Sequence, residues 1–429
     1  MRGLWRRLRG ASGLPELPEE VERAVLLVGR LARRWPELRS RKLAARVEAM
    51  IARCDARIAA QLGEIYGHPE MERLEGAWRG LHWLVREMPP REDIALAVMN
   101  VAKAEVASGE AELRHAAWAR VYAERQAPPI TLLLVDVAFD HAGTQALTAL
   151  ARLGSLAQMP VIAGAAPALL GLAEPQDLSA IRDPEAVLAS PAHEDFTALR
   201  RAPEARYLGL CVTRFAYAPP GDLPRPPCPV PGQYAIAANV ARSVAKWGWP
   251  QDCRGVEGGG VAGLGPTEAA IDERQESHLA RAGLIAALDA KNRAWAGFFS
   301  LTSLSRRDDL AGDAAGNWRV STQLPYLMVA TRYAQHILRL AADWPGPREA
   351  GFEAHIRDWL ERQTDRSMQL NEAEMAQRPL WGHQFDLTGE ASARLSFSPG
   401  FKLEGVPGAI ELDLTLPERA QQRPPSARK

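Results

Sequence analysis

Ile130-Thr131-Leu132-Leu133-Leu134-Val135-Asp136-Val137 is a nearly unbroken apolar run about one strand long. A strand wetted on one face alternates apolar and polar residues. A strand covered on both faces does not, so this run reads as a buried central strand. Residues 143–156 follow with helical spacing, and Pro160-Val161-Ile162-Ala163-Gly164-Ala165-Ala166 is a second buried run. Strand, helix and strand at this spacing form a βαβ unit, which makes the body α/β. Asp136 stands near the end of the first strand, where ligands of such sheets gather. No glycine fingerprint accompanies it, so its reading is structural.

Working towards the C-terminus, Arg206–Val212 reads as a strand, the proline-rich stretch 218–232 as a loop, and Ala235–Trp247 as an Ala-rich helix. Glu268–Ile271 reads as a short strand, Glu273–Ala282 as a polar helix, Gly283–Leu288 as strand-like, and Trp295–Leu301 as apolar. Leu324-Pro325-Tyr326 caps a long helix from Met328 to Ala342. Phe352–Arg366 is amphipathic, with Ile356, Trp359 and Leu360 on one side. Residues 391–398 and Ile410–Leu416 alternate as strands, and the tail beyond Pro417 is polar.

Towards the N-terminus, Ile94–Val101 alternates as a strand. Leu74–Val85 has an apolar face of Trp78, Leu81, Leu84 and Val85, extended by His82 and Trp83. Between Leu43 and Ile65, a stripe of Val47, Ile51, Ile58, Leu62 and Ile65 predicts a second helix, and Glu19–Trp35 predicts another ahead of it. The expected organisation is a helical segment at 1–66, an α/β body at 67–320, a C-terminal α+β portion ending in strands at 321–417, and a tail at 418–429.

Composition narrows the function. The chain has 429 residues, 52 Lys and Arg against 52 Asp and Glu, and 47% hydrophobic residues. Zero net charge gives no case for nucleic acid and eases self-association. Cys54, Cys211, Cys228 and Cys253 form no C-x-x-C pair, which fits free thiols in a reducing compartment. The basic start, Met1–Arg7, has no long apolar region behind it, and Val25–Val28 is too short to span a bilayer. A cytoplasmic protein with no membrane insertion is expected.

Arg254-Gly255-Val256-Glu257-Gly258-Gly259-Gly260 resembles a phosphate-binding loop, but no Lys-Ser or Lys-Thr pair follows it. Gly263, Gly265 and Pro266 prolong it, so it reads as an architectural loop that does not open a helix. A nucleotide-dependent enzyme would have only Arg254, Glu257 and Thr267 to work with there. His-Glu-x-x-His, Gly-x-Ser-x-Gly and paired C-x-x-C are all missing. No catalytic residue, cofactor or metal is expected.

Five stretches in order carry a resemblance: Leu74–Leu81 (with Trp78, Arg79 and Gly80), Pro160–Gly171, Ala205–Leu210, Arg254–Gly260, and Gln323–Tyr326 (with Pro325). Lys246-Trp247-Gly248-Trp249 and Thr267–Asp272 fit the same pattern. Together they resemble the TssC/VipB (ImpC/EvpB) family, the large sheath subunit of type VI secretion systems. The resemblance implies a contractile tail-sheath fold and no catalysis. It implies a TssB/VipA-like small partner, helical self-association around an Hcp tube, a baseplate, and recycling by a ClpV-like AAA+ ATPase. In some relatives that ATPase recognises a helix in the region of Glu19–Trp35. A sheath subunit of another phage-like contractile machine and a nucleotide-dependent enzyme are the alternatives. Two interfaces are expected: the Val47, Ile51, Ile58, Leu62 stripe against the small partner, and Ile410, Leu412 and Leu414 in strands exchanged with neighbours. Removing residues 391–429 is expected to leave a soluble body that no longer assembles.

Overall fold

The computed structural model describes residues 41–102, 105–106, 129–218, 227–289, 295–307, 309–310, 312–345, 347–348, 351–367, 377–400 and 409–417, with Leu27, Arg30 and Glu374. The expected Glu19–Trp35 helix and the tail at 418–429 lie outside these residues, apart from Leu27 and Arg30. The chain forms two units, residues 1–71 with 220–226, and residues 72–219 with 227–429.

In the first unit, α1 (Arg41–Tyr66) is the helix that the apolar stripe predicts. It ends where the Gly67 N–H reaches the Gly63 carbonyl at 2.8 Å. Helix α2 (Pro69–Glu87) carries the chain onward.

The second unit is mixed α/β. Strand β1 (Leu133–Phe139), α3 (Thr144–Ala157) and β2 (Val161–Ala165) form the expected βαβ unit, with β1 and β2 parallel. After α4 (Pro184–Leu188) and α5 (Glu194–Arg201) comes β3 (Leu208–Cys211), then the pair β4 (Arg214–Tyr217) and β5 (Cys228–Pro231). Next are α6 (Gln233–Trp247), the single turn α7 (Gly255–Gly258), β6 (Gly260–Val261) and α8 (Glu273–Arg281). Strands β7 (Leu284–Ile285), β8 (Ala287–Asp289) and β9 (Ala296–Phe298) precede α9 (Gly312–Ser321), α10 (Leu324–Asp343) and α11 (Phe352–Arg362). The chain closes with β10 (Leu380–Gly389), β11 (Ser392–Pro399) and β12 (Ile410–Thr415).

The central sheet has the order β1-β2-β3-β7, all parallel. Successive residues of β2 serve opposite faces. Val161 and Ala163 share a core with Leu147 and Leu150 of α3, Phe196 of α5 and Leu279 of α8. Ile162 joins Ile285, Ile236 of α6 and Leu324 of α10 on the other side. Cover on both faces is why these strands read as unbroken apolar runs. The sheet β6-β9-β8 and the sheet β10-β11-β12 are antiparallel.

Several expectations need correction. Ile94–Val101 is not a strand: residues 94–101 are without regular structure, and Leu96, Val98 and Met99 are exposed. Alternation alone does not make a strand without a partner to accept its backbone bonds. Glu268–Ile271 is likewise irregular, preceded by one isolated bridge between Thr267 and Phe215. The proline-rich stretch holds a strand, because Pro229 and Pro231 stand at alternate positions of β5 and place both missing N–H groups on one side. Gly283–Leu288 divides between two sheets, β7 beside β3 and β8 beside β9. Leu324-Pro325-Tyr326 is the first turn of α10 and Gln323 the N-cap. Proline suits that turn, whose N–H groups have no helical acceptor. The longest strand of the C-terminal sheet, β10, went unread because His383 interrupts the apolar phase of Trp381, Phe385 and Leu387 and leaves only a short alternating stretch.

Candidate functional site

The glycine run makes a tight corner, and Gly255–Gly258 within it form a helical turn, contrary to expectation. The Gly259 N–H meets the Gly255 carbonyl at 3.1 Å, and the Gly259 carbonyl accepts from Phe298 N–H at 3.0 Å. Room for side chains is missing. A Cβ on Gly258 would sit 2.1 Å from the Asp252 carbonyl oxygen, and one on Gly259 would sit 2.2 Å from that of Phe298. A Cβ on Gly260 would meet the Trp295 indole at 2.8 Å. Only Gly255 of the four needs a positive φ, 77°. Gly258 and Gly259 therefore allow close backbone approach, while Gly255 supplies the positive φ.

Two of the three groups available to a nucleotide are committed elsewhere. Arg254 Nη1 donates to the Phe299 carbonyl at 3.1 Å. The Thr267 hydroxyl lies on the Ala269 carbonyl and the Asp289 carboxylate. Glu257 is exposed. Burial pushes the Cys253 thiol up to about 12, so it stays protonated. Among the described residues no group of His, Cys, Asp and Glu could hold a metal, and no helix is long and apolar enough to cross a membrane.

The Trp78-Arg79-Gly80 motif belongs to a helix seated by glycines. Gly76 and Gly80, four apart on α2, face the Pro229 carbonyl and the Tyr234 ring, where a Cβ would come within 2.1 and 2.5 Å. Trp83 Nε1 donates to the Ala262 carbonyl at 3.1 Å. Gly76, Gly80, Trp83 and Leu84 are the buried residues. Trp78 and Val85, expected on the buried face, point outward, Trp78 being 65% exposed. The error came from pairing large apolar residues, whereas the seam is built on small ones. Arg79 pairs with Glu75 one turn away. Burial and the adjacent Asp136 carboxylate raise the Tyr234 hydroxyl, which accounts for Asp136 as a structural partner.

Trp249 of the Lys246–Trp249 motif stacks on Tyr333 of α10 with ring centres 5.5 Å apart, and the Arg332 guanidinium lies over it at 4.7 Å. Tyr333 also meets Trp359 of α11 and Phe397 of β11. Pro325 and Tyr326 are buried at the start of the same helix. These motifs tie α6, α10, α11 and the C-terminal sheet into one core.

The two outer strands of that sheet differ. The edge of β10 is covered by α11: Arg357 Nε donates to the Phe385 carbonyl at 2.9 Å, and Glu353 accepts from the Leu387 N–H at 3.4 Å. The edge of β12 is open in its middle. The bond from Leu416 N–H to the Ala391 carbonyl, with the β11–β12 register, turns the backbone groups of residues 411, 413 and 415 away from β11. Arg206 takes the Glu411 carbonyl at 3.3 Å, and Arg348 takes that of Pro417. Asp413 and Thr415 have no backbone partner among the described residues. Ile410, Leu412 and Leu414 point inward and are buried, so an exchange at this edge would run through backbone groups. The α1 stripe is different: Val47, Ile51, Ile58 and Ile65 are exposed and Leu62 is half-buried. Sequence reading placed exchange on Ile410, Leu412 and Leu414 but missed Glu353, Arg357 and the outward-facing acids of β12. Their signals were the Glu–Arg spacing of four on a helix and the acids alternating in Ile410–Leu416.

Comparison with known proteins gives these features a context. Residues 48–222 match the VipB family, described as the EvpB/VC_A0108 tail sheath N-terminal domain. The type VI secretion system sheath protein TssC1 of Pseudomonas aeruginosa is 28% identical, covering 93% of this chain and 91% of that protein. Among solved structures, an anti-feeding prophage baseplate is 14% identical over 76% of this chain and 81% of its own, at a TM-score of 0.38. A contracted sheath of the PVC extracellular injection system is 11% identical over 72% and 77%, at 0.37. Superpositions at these scores carry no argument of their own. The sequence likeness does: with a tail-sheath domain at 48–222 and similarity to a type VI sheath protein along nearly the whole chain, the resemblance to the TssC/VipB family read from the five motifs holds.

Proposed function

We propose that this chain is the large subunit of a type VI secretion contractile sheath. In this reading it works in the cytoplasm without catalysis of its own. It pairs with a TssB-like small subunit, and the pairs stack helically on a baseplate around an Hcp-like tube. Contraction of the metastable stack drives the tube outward, and a ClpV-like ATPase recycles the contracted form. The observation that carries the reading is the likeness to TssC1 over 93% of the chain. Two surfaces support it: the exposed apolar stripe of α1, suited to a partner helix, and the open β12 edge, suited to strand exchange.

Co-expression with a TssB-like small subunit tests the proposal by electron microscopy. Hollow tubules that need both chains are expected. A purified pair that stays a simple soluble heterodimer under all assembly conditions would overturn the sheath role. Micromolar ATP or GTP binding, lost on substitution in the glycine corner, would instead favour an enzyme.

A further inference from the structure

The outer face of the C-terminal sheet carries a row of alternating charge. Arg357 of α11 holds Asp386 of β10 at 2.6 Å. Asp386 lies directly opposite Arg394 of β11. Arg394 reaches Asp413 of β12 at 3.1 Å and lies opposite it in register. The order across the sheet is plus, minus, plus, minus. It stops at Asp413, whose side chain is 82% exposed. Glu411, two residues away on the same face, is also exposed, and its cross-strand neighbour is the uncharged Ser396. The row therefore ends in acid on an edge where the backbone groups of Asp413 and Thr415 have no partner among the described residues.

We propose that the β12 edge selects an incoming strand with a basic residue placed beside Asp413, between two apolar residues that extend the layer of Leu412 and Leu414. This rests on the strand-exchange reading above and adds which strand is accepted. Opposite charges on neighbouring strands attract and like charges repel, so the row favours one chemistry and one register. Being exposed, it sets choice more than strength. The arginines narrow the register further. Arg206 and Arg348 already occupy the carbonyls of Glu411 and Pro417, which leaves Asp413 and Thr415 to bond the newcomer. The occupant is a strand of the small sheath subunit. This chain's own unpaired apolar stretch, residues 94–101, contains no charged residue and does not complete the row.

The test uses the full chain with a TssB-like small subunit, reading the small-subunit concentration for half-maximal tubule formation at low and high salt. Asp413→Lys is expected to raise it about fivefold at low salt, from the reversal of one cross-strand pair, and to lose that effect at high salt. Glu411→Lys, equally clear of the core, should act in the same direction. Thr415→Pro is expected to abolish assembly at both salts. Its N–H points away from β11, so the intramolecular ladder loses no bond, and the melting temperature reports whether the fold holds. If Thr415→Pro abolishes assembly while both lysine variants match the parent, charge selection is wrong and strand exchange stands. If all three assemble normally, strand exchange at this edge is itself wrong. Oligomers of the chain alone that Asp413→Lys disrupts would make a second copy the occupant and overturn the assignment to the small subunit.

Discussion

Gly259 and Gly316 show how differently one residue type can act. Gly259 is buried, and any side chain would run into the Phe298 carbonyl oxygen, a backbone atom that cannot turn aside. Gly259→Ala should cost at least about 2 kcal/mol through overpacking. Gly316 lies within α9, and nothing stands within 4 Å of where its Cβ would be. Gly316→Ala should stabilise by about 0.5–1 kcal/mol, because alanine loses less backbone freedom in a helix. Chemical denaturation of both variants checks the pair. A neutral Gly259→Ala would show that the corner has slack. The sequence displayed the glycine run plainly, and a corner was legible. What it did not display was the opposing atom. Gly259 and Phe298 are far apart in sequence, and only the pairing of β6 with β9 sets one against the other.

At the scale of elements, legibility followed how local the cause was. Strands buried on both faces, β1, β2 and β3, announced themselves in composition. So did α1, through its stripe. The α2 face was misread because Gly76 and Gly80 form its seam, and a hydrophobic pattern is blind to glycine contacts. The stripe of α1 carries a prediction. Ile51 and Ile58 are exposed in this chain, so Ile51→Asp and Ile58→Asp should leave its thermal unfolding unchanged. Each isoleucine buried against a partner contributes about 1.5–3 kcal/mol, so each substitution should weaken small-subunit binding roughly 10- to 100-fold, measured by titration calorimetry. Unchanged affinity in the double variant would remove α1 from the interface.

The junction of α11 and β10 carries a second prediction. His383 Nδ1 and the Thr364 hydroxyl are 3.0 Å apart, and its Nε2 lies 3.7 Å from the Glu361 carboxylate. Burial holds the imidazole below its ordinary value of 6.5, with Arg366 and Arg357 adding to the effect and Glu361 opposing it. The sign follows from proton uptake. As pH falls through 6.5 the unfolded chain binds this proton before the folded one, so stability present above that value is lost on acidification. His383→Gln should flatten this part of the pH–stability profile, measured by melting temperature between pH 7.5 and 5.5. An unaltered slope in the variant would assign the acid sensitivity to other groups.

For the whole molecule, the C-terminal strands have two duties that sequence reading did not separate. Alternation in 391–398 and 410–416 marked them correctly as strands. It suggested a detachable appendage, dispensable for the body, because alternation gives the buried face without saying what covers it. Ala393, Leu395, Phe397, Ile410, Leu412 and Leu414 are all buried in the core that contains α6 and α10, and Phe397 meets the Tyr333 ring at 5.2 Å. Truncation before residue 391 would strip these six apolar side chains and that of Leu416 from that core. At about 1.5–3 kcal/mol for each larger one, the loss rivals the 5–15 kcal/mol that holds a typical domain. The truncated chain should therefore aggregate or lose cooperative unfolding. A soluble body with a normal melting transition would show instead that the sheet is an independent appendage. Assembly is better interrogated at the edge proposed for strand exchange, where the outward groups are separate from those facing the core. In β12 that separation is complete: even-numbered residues build the interior, while odd-numbered residues present backbone and charge outward. The proposed strand exchange would use this division, because a neighbour could pair with the odd-numbered backbone groups without unpacking the body.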